Sequence, residues 1–342
     1  MRTTEGIFCA GVDHHATPLA AREALASLAG ERLTPHLIEH EGAEEVVFLS
    51  TCNRVEIYGR SNRRGPEIAA ALGRAMAPEM AAVWSQTPGV YLHEGLACWR
   101  HLSEVATGLR SMVMGEAEIL GQVRAAYQVS RELGGTGKAM HGLFQSALRA
   151  ARAARQAAGF GKGDPSVGRC AAEALAESLG GRETGPLLLL GAGHTARSFG
   201  VAALELGFKK ILISSRTEQR AVDLARDLGG EVVSWSHWSE AAKASGVLVS
   251  ALSGGELLWR ETTMTGGPAA LVDLGVPRTL NQVRAFYPKA VWVDLEELAK
   301  RSEMVPESLG AIHRAEEILR SHERMWLIGG SRAAEVMPGA GG

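Results

Sequence analysis

Short apolar runs alternate with longer helix-prone stretches over the first half of the chain. Residues 55–58 alternate apolar and polar side chains, a pattern typical of a half-buried strand. Ala- and Leu-rich sequence over residues 18–28 and from residue 99 to about 158 predicts helices. The predicted strands are residues 7–12, 46–49 and 55–58. Strands followed by grouped helices predict an N-terminal α+β domain over residues 1–158.

A different rhythm follows the glycine-rich break at residues 159–165. Ser166 is suited to cap a helix that runs to about residue 179. From residue 187 onwards, strands and helices alternate. The predicted strands are residues 187–190, 211–213, 231–233, 247–249, 270–272 and 291–293. This order predicts βαβ units and a doubly wound parallel sheet, that is, a Rossmann domain over residues 159–303.

A final helix is predicted from near Pro306, a residue suited to a first helical turn. Its apolar stripe consists of Leu309, Ile312, Ala315, Ile318 or Leu319, and His322. We expect residues 304–342 to form a C-terminal helix and tail, frayed over residues 338–342.

Composition narrows the class of protein. The net charge of -2 over 342 residues argues against a generic nucleic-acid binder. The four cysteines form no C-x-x-C pair, and neither they nor the adjacent His14 and His15 suggest a metal site. No apolar run suits a signal peptide or a membrane span, so we expect a reduced, cytoplasmic protein.

The strongest motif for a cofactor follows the strand at residues 187–190. Its residues are Gly191, Ala192, Gly193, His194, Thr195 and Ala196, a G-x-G-x-x-A sequence that opens a helix. The glycines allow a tight turn and close approach of a pyrophosphate to the helix N-terminus. The alternative is a glycine turn that merely joins strand and helix.

The next strand is followed by Ser215, Arg216 and Thr217. An NAD enzyme places an acid at this position, whereas an arginine with hydroxyls suits the 2′-phosphate of NADP. The sequence therefore favours NADPH. Alone, Arg216 is equally typical of a solvated loop.

Cys52 stands at the end of an apolar strand, two residues before Arg54. In extended chain the two side chains point to the same side, and a guanidinium favours a thiolate and can hold a substrate carboxylate. Cys52 is therefore a candidate nucleophile. The alternative for a lone cysteine is a small buried hydrophobe, and Cys9, Cys98 and Cys170 are interpreted in that way.

Four segments together resemble the glutamyl-tRNA reductases. They are residues 50–58, 108–123, 11–18 and 272–278. The resemblance implies NADPH-dependent reduction of glutamyl-tRNA(Glu) to glutamate-1-semialdehyde, with release of tRNA, through a thioester on Cys52. It further implies the first committed step of the C5 route to 5-aminolevulinate and tetrapyrroles. A thioester is a good hydride acceptor, which makes the covalent route chemically sensible.

The resemblance also implies roles for individual residues. Arg54 and Ser111 are expected to contact the glutamate, and His101 is expected to orient or protonate groups near Cys52. The expected pocket residues are Thr51, Asn53, Glu116, Ala117, Glu118 and Gln122, with Ala117 and Glu118 standing where the family often has proline and glutamine. Without the resemblance, His101 is a core histidine, Ser111 a helix-end cap, and Glu116 and Gln122 an exposed helix face.

Expected partners follow from the same resemblance. The substrate is glutamyl-tRNA(Glu), and the aminotransferase that takes up the semialdehyde is an expected partner. The family's helical dimerisation domain is expected to be truncated here, which leaves a homodimer open. Arg149, Arg152 and Arg155 recur every third residue, with Lys162 following, and form either a solvated face or a contact to tRNA phosphates.

Two other functions remain open at this level. One is an NADP-dependent dehydrogenase of a free small acid, similar to shikimate dehydrogenase, which needs no nucleophilic cysteine. The other is an inactive relative that only binds tRNA or a protein. Such a relative is expected to have lost Cys52, Arg54 or the nucleotide glycines, and all of them are present.

Overall fold

A computed structural model describes residues 5–27, 38, 43–51, 53–62, 89–160, 166–182, 184–252, 257, 266–302 and 309–335. The chain forms two compact units. One contains residues 1–164 together with 306–342, and the other contains residues 165–305. The parallel sheet and the α/β class predicted from the sequence are both present. Among the described helices, none has both the length and the apolar character that a membrane crossing requires.

The first unit is built on a four-stranded antiparallel sheet. Its strands are β1 (Ile7–Asp13), β2 (Ala43–Ser50), β3 (Arg54–Ser61) and β4 (Tyr91–Glu94), in the order β2-β3-β1-β4. Three of these strands match the predicted ones, whereas β4 was not predicted. Helix α1 (Leu19–Ser27) lies between β1 and β2, and the strands are followed by α2 (Leu96–Thr107), α3 (Ile119–Glu132) and α4 (Lys138–Ala158).

Both faces of this sheet are covered. On one face, Tyr58 and Leu49 pack with residues of α2, α3 and α4, and on the other, Ile57 and Val55 pack with Leu25 of α1. The prediction that residues 55–58 form a half-buried strand was therefore wrong, because all four side chains are buried. Polar groups on the helix-facing side must consequently find partners inside the protein.

The stretch predicted as helical from residue 99 to about 158 contains three helices, the first of which already begins at Leu96. Gly108, with φ +88°, ends α2 in the left-handed conformation, and a loop over residues 108–118 leads into α3. The site described below depends on this loop.

The second unit is a doubly wound sheet. Its elements are α5 (Val167–Leu179), β5 (Leu187–Leu190), α6 (His194–Glu205), β6 (Ile211–Ser214), α7 (Glu218–Leu228), β7 (Glu231–Val232), α8 (Trp238–Lys243), β8 (Val247–Ser250), β9 (Ala270–Asp273), α9 (Asn281–Phe286), β10 (Val291–Asp294) and α10 (Leu295–Ser302). The six strands are parallel in the order β7-β6-β5-β8-β9-β10. The strand order reverses beside β5, which is the place where such sheets bind dinucleotides.

The helix predicted near the C-terminus is α11 (Leu309–Glu335). It packs on α4 and α2 of the first unit, where Ala315 is fully buried and Trp326 stacks on Trp99 with ring centroids 5.6 Å apart. Pro306, at the predicted start, and the tail from residue 338 lie outside the described residues.

Candidate active site

The turn between β2 and β3 carries the predicted nucleophile. Thr51 closes this turn, since its Oγ1 accepts the N–H groups of Asn53 and Arg54 at 3.2 Å each. Cys52 itself lies outside the described residues. Its sequence neighbours Thr51 and Asn53 are both buried.

Asn53 is the most unusual polar group of the turn. Its side chain is 2 % exposed, and neither Oδ1 nor Nδ2 has a hydrogen-bond partner among the described residues. A buried amide without partners is unfavourable by roughly 1–3 kcal/mol. Such a group is expected where a ligand supplies the missing bonds.

Arg54 begins β3 with a fully buried guanidinium. Nη1 donates to Glu56 Oε1 at 2.8 Å, and Nη2 donates to the carbonyl oxygen of Arg110 in the loop after α2. A guanidinium carries five N–H donors, so these two bonds leave capacity for a carboxylate. Arg54 therefore joins the strand end to the loop and keeps donors for a ligand.

Glu56 is the centre of this region, and sequence reasoning did not single it out. Besides Arg54, its fully buried carboxylate accepts from Tyr58 Oη at 2.6 Å, Tyr91 Oη at 2.5 Å and His101 Nε2 at 2.8 Å. Burial alone would raise the pKa of Glu56, but Arg54, His101 and the hydrogen bonds outweigh burial and hold it well below its usual value. We call these five side chains the Glu56 cluster.

His101 is placed by this cluster. Its ring is 2 % exposed, Nε2 is directed to Glu56, and Nδ1 has no partner among the described residues. The His93 ring stacks on it with centroids 4.4 Å apart. Burial, helped by His101 and Arg110, lowers the pKa of His93 to about 4. The predicted catalytic histidine is thus held through Nε2, and its Nδ1 makes no hydrogen bond to the described residues.

Cys9 also lies beside this cluster. Its Sγ, a Glu56 oxygen and a His101 nitrogen lie within 4.8 Å of one another. A cation there would meet the Arg54 guanidinium on the same carboxylate, so we assign no metal. Burial raises the pKa of Cys9 and of Cys98 well above the usual thiol value, as the interpretation of both as buried hydrophobes requires.

His14 is a further neighbour that the sequence analysis considered only as a metal ligand. The backbone N–H of His14 donates to the backbone carbonyl oxygen of Asn53 at 2.9 Å. Burial, with His15 and Arg54, lowers the pKa of His14 to about 3. At neutral pH a neutral imidazole therefore lies beside the turn that contains Cys52.

The loop after α2 brings two of the predicted pocket residues, Ser111 and Glu116, near Arg54. Ser111 and Glu116 are buried at 7 % and 4 % exposure. Burial raises the pKa of Glu116 to about 7, against the lowering effect of the nearby Ser111 hydroxyl and Arg54. The burial of Glu116 contradicts the exposed helix face that the sequence suggests without the family resemblance. Ala117 is exposed, and Glu118 and Gln122 are half-buried at the start of α3.

The three arginines of α4 that the sequence places on one side, facing solvent or tRNA, divide into two groups. Arg149 and Arg152 are exposed, whereas Arg155 is 7 % exposed and donates to backbone carbonyls. The prediction of one continuous face of three arginines was therefore wrong. Lys162 lies outside the described residues.

In the second unit, the glycine turn has the geometry of a dinucleotide site. Gly191 has φ +104° and its N–H donates to Ser214 at the end of β6, while Gly193 caps α6. A Cβ built on Gly193 meets no atom within 4 Å, and Ala196 packs fully buried. This leaves open space at a helix N-terminus, which fits a pyrophosphate. Ala192 and Thr195 are half-buried and His194 is exposed.

The residues predicted for the 2′-phosphate follow β6, the neighbour of β5. Parallel strands end at the same edge, so the two loops adjoin. Ser215 Oγ accepts the N–H of Thr217 at 3.3 Å, and exposed Arg216 lies with Cζ 6.0 Å from the Trp235 ring centroid. The region thus offers a cation and hydroxyls beside the glycine turn.

Comparison with known proteins gives two family matches. Residues 10–158 match the model for the N-terminal domain of glutamyl-tRNAGlu reductase, and residues 173–300 match the model for shikimate / quinate 5-dehydrogenase. The second match covers most of the doubly wound unit. The first covers the region of the Glu56 cluster.

Whole-chain relatives agree with the first match. A glutamyl-tRNA reductase of Rubrobacter xylanophilus is 32% identical over 302 residues, which is 85% of this chain and 70% of that protein. One of Thermus thermophilus is 30% identical over 360 residues, covering 98% and 88%. The solved glutamyl-tRNA reductase of Methanopyrus kandleri aligns over 97% of this chain and 81% of that chain, with 26% identity and a TM-score of 0.49.

Proposed function

Because this chain belongs to the glutamyl-tRNA reductase family, oxidoreductases of the C5 route to tetrapyrroles, we propose that it reduces glutamyl-tRNA(Glu) to glutamate-1-semialdehyde with NADPH and releases the tRNA. One observation supports the proposal above all. The same chain contains a domain that matches the N-terminal domain of glutamyl-tRNA reductases and a parallel sheet whose glycine turn leaves room for a pyrophosphate. A nicotinamide cofactor agrees with the match of the second unit to shikimate / quinate dehydrogenases.

In the first step, the Cys52 thiolate attacks the aminoacyl ester carbonyl. A carbon–sulfur bond forms, the carbon–oxygen bond to the tRNA ribose breaks, and the ribose oxygen takes a proton. We assign the orientation or protonation of these groups to His101, since Glu56 holds its Nε2 and leaves Nδ1 available. The covalent intermediate divides one difficult reduction into two easier steps.

Recognition of the glutamate is assigned to the turn and the loop that Arg54 joins. The unpartnered amide of Asn53 and the remaining donors of Arg54 support contacts to the substrate's polar groups. Ser111 is the hydroxyl that the loop adds. Thr51, Ala117, Glu118 and Gln122 complete the proposed pocket, of which Glu118 and Gln122 are half-buried.

Glu116 has a specific part in this proposal. Its pKa of about 7 means that much of it is protonated near neutral pH. A protonated carboxyl donates a hydrogen bond to the substrate carboxylate instead of repelling it.

In the second step, a bound NADPH would provide the hydride that reduces the thioester carbon. The glycine turn at Gly191 and Gly193 and the N-terminus of α6 would hold the pyrophosphate, and Arg216 with Ser215 and Thr217 the 2′-phosphate. Loss of the sulfur from the reduced carbon frees the aldehyde and returns the thiolate. Since this product is a reactive amino aldehyde, we also propose the aminotransferase that consumes it as a partner.

The test combines the purified protein with glutamyl-tRNA and NADPH, beside a Cys52→Ser variant. We expect nicotinamide oxidation and release of uncharged tRNA from the unaltered protein and neither from the variant. Without NADPH, the unaltered protein should retain hydroxylamine-sensitive glutamyl label. Repeating the assay with NADH and with Arg216→Met tests the 2′-phosphate assignment, because the variant should lose its preference for NADPH.

Two outcomes would contradict the proposal. Discharge of tRNA without NADPH oxidation would retain the cysteine chemistry and refute the cofactor assignment. NADPH binding with no reaction of glutamyl-tRNA would refute the reductase function. In that case, resistance of a free-acid dehydrogenase activity to thiol alkylation would identify the alternative enzyme.

A further inference from the structure

The loop between α2 and α3 is held by a side chain that has no part in the mechanism proposed above. Arg155, in the last turn of α4, extends its guanidinium beneath the loop. Nη1 donates to the carbonyl oxygens of Thr107 and Glu116, both at 2.9 Å, and Nη2 donates to that of Gly115 at 3.0 Å. One side chain therefore joins the two ends of a loop that is separated from it by about 40 residues of sequence.

The ends of the loop need such a partner. The carbonyl of Thr107 is among the last of α2, where helix carbonyls lack intrahelical donors. Gly115 donates its N–H to the Gly108 carbonyl at 3.0 Å, and both glycines have positive φ. We call the two segments that meet here, residues 107–108 and 115–116, the neck of the loop. The carbonyl oxygens of Thr107, Gly115 and Glu116 in the neck accept hydrogen bonds from Arg155.

A second contact holds the same neck. The Phe160 ring lies against Gly115 so closely that a Cβ on that glycine would come within 2.7 Å of it. Phe160 also lies 6.0 Å from Arg155 Cζ, measured to the ring centroid. Helix α4 and the residues after it therefore form a fixed support for the neck.

The tip of the loop is held from another direction. Arg54 of β3 donates to the Arg110 carbonyl, next to Ser111. Ser111 and Glu116 thus lie between two buried arginines, one at the tip and one at the neck. We propose that Arg155 is a positioning residue of the reaction: it fixes the neck and thereby the places of Ser111 and Glu116 relative to Arg54. The part concerning the reaction rests on the proposed function.

Lysine is not equivalent at this position. Three carbonyl oxygens are reached by the planar fork of one guanidinium, whereas an ammonium is a compact point donor on a different stem. Arg155→Lys should therefore keep a buried cation near the C-terminus of α4 and still fail to hold both ends of the loop. The Arg155→Lys variant therefore distinguishes the effect of the positive charge from the effect of the guanidinium's hydrogen-bond geometry.

The experiment uses the full chain with Arg155→Ala, Arg155→Lys and, as the matched control, Arg124→Ala at an exposed position of α3. Hydrogen exchange is measured at the loop amides of Gly115 and Glu116, and kcat/KM is measured with glutamyl-tRNA. We expect faster exchange confined to the loop, and kcat/KM about 100-fold lower for Arg155→Ala, because small displacements of pocket groups cost that much. Arg124→Ala should change neither quantity.

The decisive experiment adds guanidinium ion, below denaturing concentrations, to replace the missing side-chain group of the Arg155→Ala variant. In Arg155→Ala it should slow loop exchange and recover much of kcat/KM, while leaving Cys52→Ser inactive. A variant that exchanges faster throughout α4, or that guanidinium does not rescue, would overturn the inference, as would a loosened loop with unchanged kcat/KM. If the unaltered protein lacks reductase activity, the proposed function fails, and the exchange measurements still decide whether Arg155 holds the loop.

Discussion

At the scale of single residues, Glu56 shows what a buried carboxylate requires. Its two oxygens accept four hydrogen bonds, from a guanidinium, two phenols and an imidazole, three of them at Oε1 and one at Oε2. Its low pKa keeps it ionised, so that all four groups act as donors. The place of His101 and the place of Arg54 are consequently set by one side chain.

Replacing Glu56 by glutamine tests this dependence. The amide has one acceptor oxygen in place of two and leaves the Arg54 charge without its counter-ion. We expect the free energy of unfolding to fall by about 3–5 kcal/mol, as when one member of a buried ion pair is removed. Urea denaturation followed by circular dichroism measures the change.

The matched control is Glu104→Gln. Glu104 pairs with Arg110 at 2.6 Å, but the two side chains are 23% and 41% exposed. Such a pair contributes under about 1 kcal/mol. Equal losses in the two variants would contradict the central role of Glu56.

Glu116 makes stability depend on pH in a defined direction. Its folded pKa of about 7 lies above the usual 4.5, so the folded state binds more protons between those values. The contribution is complete below about pH 4.5 and is lost as pH rises through 7. Glu116→Gln should match the unaltered protein near pH 5 and exceed its stability by roughly 1–3 kcal/mol at pH 8. Urea denaturation at both pH values measures this, and a pH-independent difference would refute it.

At the scale of elements, the two glycines of the turn after β5 have different tasks. Gly191 has a positive φ, and a Cβ there would lie 2.6 Å from the carbonyl oxygen of Ala251. Gly193 has φ −84°, which any residue adopts, and open space around it. Gly191 is therefore required by the backbone conformation of the turn. Gly193 leaves room for a ligand at the N-terminus of α6.

Alanine substitutions should separate these tasks. Gly191→Ala is expected to lower stability by about 1–3 kcal/mol through backbone strain. Gly193→Ala should stay within about 1 kcal/mol of the parent stability. It should nevertheless weaken NADPH binding at least about tenfold, because the methyl group occupies the place of the pyrophosphate. Thermal unfolding and fluorescence titration with NADPH measure the two effects, and normal NADPH affinity in Gly193→Ala would refute the site.

The sequence predicts a helix or strand well when its local residue pattern determines it, and poorly when contacts with distant parts of the chain determine it. Helix α5 and its cap followed from Ser166, and the structure confirms both, since Ser166 Oγ accepts the N–H of Arg169. Strand β4 was missed because four residues at 91–94 carry too little pattern. Glu56 resembled a solvent-facing strand position, and only the packing of helices over the sheet reveals its burial. The neck at Gly108 was missed because helix-forming sequence surrounds it.

At the scale of the whole molecule, the first unit is assembled from two separate parts of the sequence. Residues 1–164 supply the sheet and helices α1 to α4, and α11 completes the same unit. Ala315 and Leu319 of α11 belong to the core that also contains Trp99 and Phe144. The stability of this unit therefore depends on a helix encoded more than 140 residues later.

A charge on the buried face of α11 should act on this unit alone. Ala315→Asp places a carboxylate in the core and is expected to lower the unit's stability by at least about 2 kcal/mol. His313→Asp, at an exposed position of the same helix, is the control and should have little effect. Hydrogen exchange of α2 and α4 measures the loss, and NADPH affinity should stay unchanged. Equal exchange in the two variants would contradict the packing described for α11.

The discontinuous first unit has a consequence for synthesis on the ribosome. Residues 1–164 emerge first, yet the helix that completes their core is translated only after the whole of residues 165–305. Domains fold as units during translation. The dinucleotide-binding unit is accordingly the first whose entire sequence has left the ribosome, and α2 and α4 of the nascent first unit wait with part of their apolar surface uncovered until α11 arrives.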